Sequence, residues 1–145
     1  MPHTKRSKVA DVRTSRHFSA EIANPIKPER FSGFHEARLG KEVRITQFGV
    51  NHVTLEPGMW SSLRHWHEKE DEFVFVLSGE LTLVDNNGSH VLPAGAFAGF
   101  PAGEANAHHL MNQSDKNAEY IVIGLRRPGE DVTHYPDDDL GPIQR

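Results

Sequence analysis

The sequence predicts an all-β sandwich or barrel made of one domain. Short segments rich in β-branched and aromatic residues recur between residues 43 and 125, separated by turn residues, and none of them has a 3.6-residue period. The length of 145 residues is that of one compact domain. We expect an extended, basic N-terminal arm at 1–30, the β-barrel at 31–128, and an acidic C-terminal tail or strap at 129–145.

The strands are assigned from the turns that separate them. The tripeptide Asn86, Asn87 and Gly88 is typical of a tight hairpin turn, because these residues accept positive φ angles. In chain order, the predicted strands are 43–55, 61–67, 72–79, the two arms of a hairpin at 80–93, a short apolar segment between two Pro-Ala-Gly turns at 93–103, 108–112 and 118–125.

The strand at 72–79 is apolar on both faces. Every residue from Phe73 to Leu77 is hydrophobic. One face can fill the barrel, whereas the other face, with Phe73, Phe75 and Leu77, must be covered by a second sheet, the arm or another subunit. We therefore expect a homodimer.

The composition excludes several classes of protein. The absence of cysteine excludes disulfides and thiolate metal ligands. No run of 18 apolar residues is present and the N-terminus lacks the apolar region of a secretory signal, so we expect a cytoplasmic protein with no membrane span. Residues 1–30 carry seven Lys/Arg against three Asp/Glu, and residues 31–145 carry nine against seventeen. The acidic barrel argues against nucleic-acid binding, and we interpret the basic arm as a solvated segment.

A polar cluster lies directly before the most apolar strand, in the stretch RHWHEKEDEFVFVLSG at 64–79. His65 and His67 project from one face of a strand because side chains alternate, and this spacing suits two imidazoles on one metal ion. Glu72 can join them only if residues 68–71 form a turn that places it at the start of the neighbouring strand. The sequence therefore predicts a metal site at this turn.

A further histidine ligand is available downstream. His108 and His109 are adjacent, so on a strand they face opposite sides and only one can enter the site. If Leu110 and Asn112 share the inward face, the entering residue is His108. Three imidazoles and a carboxylate suit one divalent ion, which could be Zn²⁺, Fe²⁺, Mn²⁺, Ni²⁺ or Cu²⁺.

These residues form two motifs through which the chain resembles the cupin family. The first motif is glycine, H-x-H, glutamate and glycine, and it is represented here by Gly58, His65, His67, Glu72 and Gly79, with one extra residue after the first glycine. The second motif is glycine, P-x-G, histidine and asparagine, and it is represented by Gly95, Pro101, Gly103, His108 and Asn112.

The second motif departs from the family pattern at its histidine. Four residues, not two, separate Gly103 from His108, so that Asn106 takes the histidine position if no insertion is allowed. We prefer the insertion, because His108 then keeps its spacing to Asn112. His109 and Asn106 remain the alternatives for the fourth site residue.

The resemblance implies a double-stranded β-helix, the jelly-roll barrel of the cupins, with His65, His67, Glu72 and His108 as ligands of one divalent ion. The stretches at 100–115 and 134–140 are similar to those of small single-domain bacterial cupins, some of which are labelled sugar-phosphate isomerases. A cupin site leaves coordination positions open, which is typical of catalysis.

The first functional hypothesis is a metal-dependent isomerase or epimerase acting on a small sugar-like hydroxy-ketone or carboxylate substrate. The candidates for its general base are Glu70, Asp71 and His52. The second is a non-haem iron dioxygenase, and the third is a non-catalytic module that senses a small ligand.

Overall fold

A computed structural model describes residues 8–19 and 26–144. Residues 1–7 and 20–25 of the predicted arm, and Arg145, lie outside the described residues. Over the described ranges the chain forms twelve strands, one helical turn and two 3₁₀ turns, at Val12–Thr14 and Pro28–Arg30. The helix is α1 (Leu39–Glu42), and the strands are β1 (His17–Ser19), β2 (Phe34–Arg38), β3 (Phe48–Leu55), β4 (Trp66–His67), β5 (Glu72–Ser78), β6 (Glu80–Asp85), β7 (Gly88–Pro93), β8 (Phe97–Phe100), β9 (His109–Met111), β10 (Ala118–Leu125), β11 (Val132–His134) and β12 (Ile143–Gln144).

The strands form three sheets with antiparallel pairing. The largest has the order β1-β2-β3-β10-β5-β8, the second the order β7-β6-β9, and the smallest the order β12-β11-β4. Alternate residues of the first two sheets point towards each other and form the core. Its buried members are Phe34, Val53, Leu55, Val74, Val76, Leu81, Leu83, Leu110, Ala118 and Tyr120. The predicted all-β class is confirmed.

Two strand predictions are wrong in part, for local reasons. The strand predicted at 43–55 begins only at Phe48, because α1 and a positive φ of 66° at Arg44 take the preceding backbone out of the extended region. The strand predicted at 61–67 is reduced to Trp66–His67, with one isolated bridge at His65. The residues before that bridge follow irregular backbone and bond individually to β9, as Ser61 N–H does to the Leu110 carbonyl at 2.8 Å.

The predicted hairpin forms, but its turn differs from the expectation. Gly88 has a positive φ of 112°, whereas no positive φ occurs at Asn86 or Asn87. The Asp85 carboxylate instead accepts a hydrogen bond from Asn87 N–H at 2.8 Å, which is a side-chain substitute for a backbone turn.

The outer face of β5 is only partly covered within the single chain. The Phe97 ring of β8 lies 5.8 Å from that of Phe73 and 6.3 Å from that of Phe75. Phe97 itself is 65% exposed and Leu77 is 46% exposed. An apolar patch made of these four residues therefore remains on the outer surface of the large sheet.

The C-terminal segment packs on the strand that carries His67. Strand β11 pairs with β4, which places Thr133 opposite His67. Further along the segment, Asp137 contacts Arg64 through both carboxylate oxygens, at 2.7 and 2.8 Å. No helix among the described residues is long and apolar enough to cross a membrane.

Candidate metal centre

Four side chains of the predicted site converge inside the barrel. The Glu72 Oε1 atom lies 2.7 Å from His108 Nε2 and 3.7 Å from His65 Nε2. Potential ligand atoms of His65, His67 and Glu72 all lie within 4.8 Å of one another. Between 6% and 21% of each of the four side chains is exposed, so the group is largely shielded from solvent.

Backbone pairing brings these residues together from three parts of the chain. His65 and His108 face each other in an antiparallel bridge, with N–H···O distances of 3.1 and 2.9 Å. The turn at 68–71 then reverses the chain, so that Glu72 opens β5 beside the two histidines. The Gly103 N–H donates to the His67 carbonyl at 2.8 Å and attaches the second motif to the first.

The outer nitrogens of two imidazoles are held by acceptors behind the cluster. His67 Nδ1 lies 2.7 Å from the carboxylate of Asp131, a fully buried residue that also accepts Lys69 N–H at 2.9 Å. His65 Nδ1 donates to the Leu63 carbonyl at 2.8 Å. With the proton on Nδ1, the Nε2 lone pair of each ring faces the cluster. This is the arrangement found around metal-bound histidines. The donor set thus fits a divalent ion.

Electrostatics keeps the Glu72 carboxylate ionised. Burial by itself raises the pKa of Glu72, but the His108 ring at 2.7 Å and the neighbouring His65 ring outweigh it and hold the pKa well below its usual range. The same balance lowers the pKa of Asp131, where burial opposes the bonds from His67 and Lys69. Both carboxylates are therefore anionic near neutral pH, as a cation site requires.

The cluster borders two cavities. The larger has a volume of about 200 Å³ and lies between the sheets. Its wall includes His65, Glu72 and His108 together with the polar residues Glu36, Asn51 and Tyr120. The smaller cavity, of about 90 Å³, lies on the side of His67 and His108 towards the hairpin. A small molecule in the larger cavity would therefore touch the cluster directly.

Two alternatives for the fourth site residue are held elsewhere. His109 borders the larger cavity, but its Nδ1 donates to the Ser62 carbonyl at 2.8 Å and burial lowers its pKa. The Asn106 side chain accepts Asn86 N–H at 2.8 Å and donates to Asp85 at 3.2 Å. Among the three alternatives, His108 is therefore the residue that contacts Glu72.

The three candidates for the general base do not line the larger cavity. Glu70 accepts the Arg127 N–H at 2.8 Å, and Asp71 accepts the Ala102 N–H at 2.8 Å, so both carboxylates stabilise loops. His52 contacts Glu119 at 2.9 Å and lies on the face of β3 opposite the cavity-lining residues Asn51 and Val53. Their predicted role as a base has no support from these positions.

Sequence reasoning missed Asp131 and Glu36, which lie beside the cluster or its cavity. Asp131 reaches His67 across 64 sequence positions, and Glu36 borders the cavity from β2. No local sequence pattern marks Asp131 or Glu36. Ser62 also lines the cavity, whereas the Asn112 amide points away from it and donates to the carbonyls of Leu55 and Lys116.

The fold and the cluster together define a barrel with an internal histidine and carboxylate site. The family model described as a cupin domain matches residues 51–124. The chain therefore belongs to the cupin superfamily, and the predicted jelly-roll barrel is confirmed. No curated protein matches the sequence.

Solved structures extend the match over almost the whole chain. A structure from Silicibacter pomeroyi, described as a sugar phosphate isomerase from a cupin superfamily, is 35% identical, with a TM-score of 0.85, and the match covers 93% of this chain and 91% of the other. A structure from Acidithiobacillus ferrooxidans, provisionally described as a sugar phosphate isomerase, is 29% identical, with a TM-score of 0.78 over 91% and 83% of the chains. A Thermotoga maritima structure described as a predicted oxalate decarboxylase is 20% identical, with a TM-score of 0.64 over 82% and 99% of the chains, and shows the shared fold alone.

Proposed function

We propose that this protein is a metal-dependent enzyme of the isomerase or epimerase type that acts on a small, sugar-like hydroxy-carbonyl compound. The observation that carries the proposal is the cluster of three histidines and one glutamate, three members of which line a cavity of about 200 Å³. The descriptions of the Silicibacter and Acidithiobacillus structures favour the same reaction class.

The proposed ligands of one divalent ion are His65, His67, Glu72 and His108. When bound, such an ion polarises a carbonyl or hydroxyl oxygen and makes the neighbouring C–H bond more acidic. The donor set is compatible with zinc, iron, manganese, nickel or copper.

The cavity wall supplies a proton acceptor and a proton donor for this chemistry. Among the described lining residues, Glu36 is the carboxylate that does not belong to the cluster. It is held by Arg38 Nε at 3.2 Å, and we assign it the role of general base. Tyr120 is buried, and burial together with the nearby Glu72 and Glu36 charges raises its pKa. Its hydroxyl therefore stays protonated and can donate a hydrogen bond to a substrate oxygen.

The proposal is tested by proton exchange at the carbon next to a ketone. Purified protein with its native metal is incubated with hydroxy-ketones in ²H₂O, and solvent deuterium in the carbon-bound position is followed by NMR. Deuterium incorporation that is lost on metal removal is the expected result. Oxygen consumption with bound iron would instead indicate a dioxygenase, and tight ligand binding without metal or turnover would indicate a sensing module.

We also propose that the protein forms a homodimer through the outer face of the large sheet. The patch of Phe73, Phe75, Leu77 and Phe97 is apolar and contiguous, and Phe97 is 65% exposed. Burying such a patch against its own copy removes apolar surface from water on both subunits.

A further inference from the structure

Away from the cluster, the walls of the two cavities are unsuited to binding an anionic group. The described residues lining the two cavities include no lysine or arginine. They do include Glu36 on the wall of the larger cavity, and Asp85 and Glu104 on the wall of the smaller one. A phosphate or carboxylate placed against these walls, away from the proposed ion, would lose its hydration without gaining a cationic side chain as a partner, which is costly.

Beyond the residues that line the larger cavity, Arg126 lies over Gly49 on the inner face of the large sheet, and this margin is called the rim. Gly49 is on the same face of β3 as Asn51 and Val53, which line the cavity. A Cβ atom added to Gly49 would lie 3.0 Å from Arg126 Nη2 and 3.2 Å from Arg126 Nε. The missing side chain at Gly49 therefore gives the guanidinium room on the inner face of the sheet.

Strand register places the backbone of Arg126 one strand away from Glu72 of the cluster. Gly124 of β10 lies opposite Gly49 on one side and opposite Glu72 on the other. Arg126 follows two residues later, and its N–H continues the pairing with the Gln47 carbonyl at 3.1 Å. Two residues advance a strand by roughly 7 Å, and neighbouring strands are about 4.8 Å apart. The backbones of Arg126 and Glu72 are therefore close enough for one small molecule to contact both residues.

Arg126 is exposed, and its charge is not used within the fold. In the ranges 8–19 and 26–144, its guanidinium pairs with no carboxylate. Arg38, which lies opposite Asn51 at the same rim, contacts Glu36 Oε1 at 3.2 Å and stacks on Phe18 at 4.3 Å. Arg126 therefore gives the rim a positive charge and Arg38 adds a second that Glu36 partly neutralises, whereas the cavity walls carry no lysine or arginine.

We propose that this rim binds the anionic group, a phosphate or a carboxylate, of an elongated substrate whose uncharged hydroxy-carbonyl end reaches the cluster. Arg126 is the principal anion-binding residue and Arg38 is the second. Guanidinium groups bind phosphate and carboxylate with paired, charge-assisted hydrogen bonds. The identity of the uncharged end as a hydroxy-carbonyl group rests on the proposed function, whereas the assignment of the arginines as anion-binding residues does not.

Calorimetric titration of the metal-loaded protein tests this inference with matched ligands. D-Ribulose 5-phosphate and 5-keto-D-gluconate carry the two kinds of anion, and D-ribulose is the neutral reference. At least one anionic ligand should bind roughly tenfold more tightly than D-ribulose, and Arg126→Gln should remove that advantage without weakening D-ribulose binding. Whichever of the two anionic ligands binds more tightly identifies the anion as phosphate or carboxylate. Arg127→Gln, with the same charge change at the next position, should alter neither affinity.

Inorganic phosphate separates this inference from the metal chemistry. In metal-stripped wild-type protein and in the His65→Ala/His67→Ala variant, phosphate should still bind, and in Arg126→Gln/Arg38→Gln it should not. Retained phosphate binding without any hydroxy-ketone binding would contradict the proposed function but support the anion site at the rim. Equal affinities of charged and neutral sugars in wild-type protein, or unchanged phosphate binding in the double arginine variant, would overturn the inference.

Discussion

Asp131 is the residue on which the orientation of His67 depends. Its carboxylate is fully buried and lies 2.7 Å from His67 Nδ1, so it determines which nitrogen faces the cluster. Asp131→Asn replaces this acceptor with a weaker one, and we expect metal affinity to fall about 10- to 100-fold. Competition with a chelator of known affinity measures the change. Asp139→Asn removes an exposed carboxylate of the same segment and should leave metal affinity unchanged; equal affinities of all three proteins would contradict the assignment.

Substitution of Glu36 tests its assignment as the general base. If its carboxylate removes the substrate proton, Glu36→Gln should slow deuterium incorporation by about 10²-fold or more while the metal content stays constant. Glu80→Gln changes an exposed carboxylate on the hairpin and serves as the control. A Glu36→Gln protein that exchanges protons at the wild-type rate would show that another group is the base.

Sequence spacing accounts for the residues of the cluster but not for those around it. The separation of His65 from His67 places them on one face, and the acidic turn after them returns the chain at Glu72. Asp131 and Glu36 reach the site through tertiary structure, since the first contacts His67 from 64 positions away and the second lies on β2. The periodicity of the sequence does not predict such long-range contacts.

At the scale of elements, the C-terminal segment is attached by an ion pair whose effect depends on pH. The hydrogen bonds from Arg64 are the main reason that the pKa of Asp137 lies below its ordinary value of 3.8. A carboxylate with a lowered pKa stabilises the fold above its unfolded pKa, and this stability is lost as pH falls through the folded pKa. The contribution is about 1 kcal/mol or less, since the Asp137 side chain is 48% exposed.

The variant Asp137→Asn should therefore melt roughly 1–3 °C below wild type at pH 7. The difference should shrink as the pH falls below 3.8 and disappear once Asp137 is protonated in both states. Thermal melts at closely spaced pH values, with Asp139→Asn as the control, measure this. A difference that persists unchanged into strong acid would exclude the ion pair as its cause.

Elements with local signals were predictable, and elements that depend on distant partners were not. Strand β5, the hairpin β6–β7 and strand β10 follow from apolar runs bounded by turns. The segment at 61–64 has strand-like composition but forms irregular backbone, because only Ser61 makes a backbone hydrogen bond to β9, whereas the Ser62 carbonyl accepts from the His109 side chain. Strands β1 and β11 have three residues each and exist because β2 and β4 lie beside them.

For the whole molecule, the exposed aromatic patch predicts a dimer that one substitution weakens. Light scattering behind size-exclusion chromatography should give the mass of two chains at micromolar concentration, and Phe97→Lys should shift the protein towards the monomer. Val91, which is 62% exposed on the second sheet, supplies the control Val91→Lys. A wild-type protein that is monomeric at this concentration would contradict the dimer.

The metal content of the purified protein tests the central claim most directly. Untagged wild-type protein and the His65→Ala/His67→Ala variant are compared by elemental mass spectrometry, after circular dichroism has confirmed that both are folded. We expect about one divalent ion per chain in wild type and none in the variant, because two imidazole ligands are removed. Stoichiometric metal in both proteins, or in neither, would contradict the assignment of His65, His67, Glu72 and His108 as a metal centre.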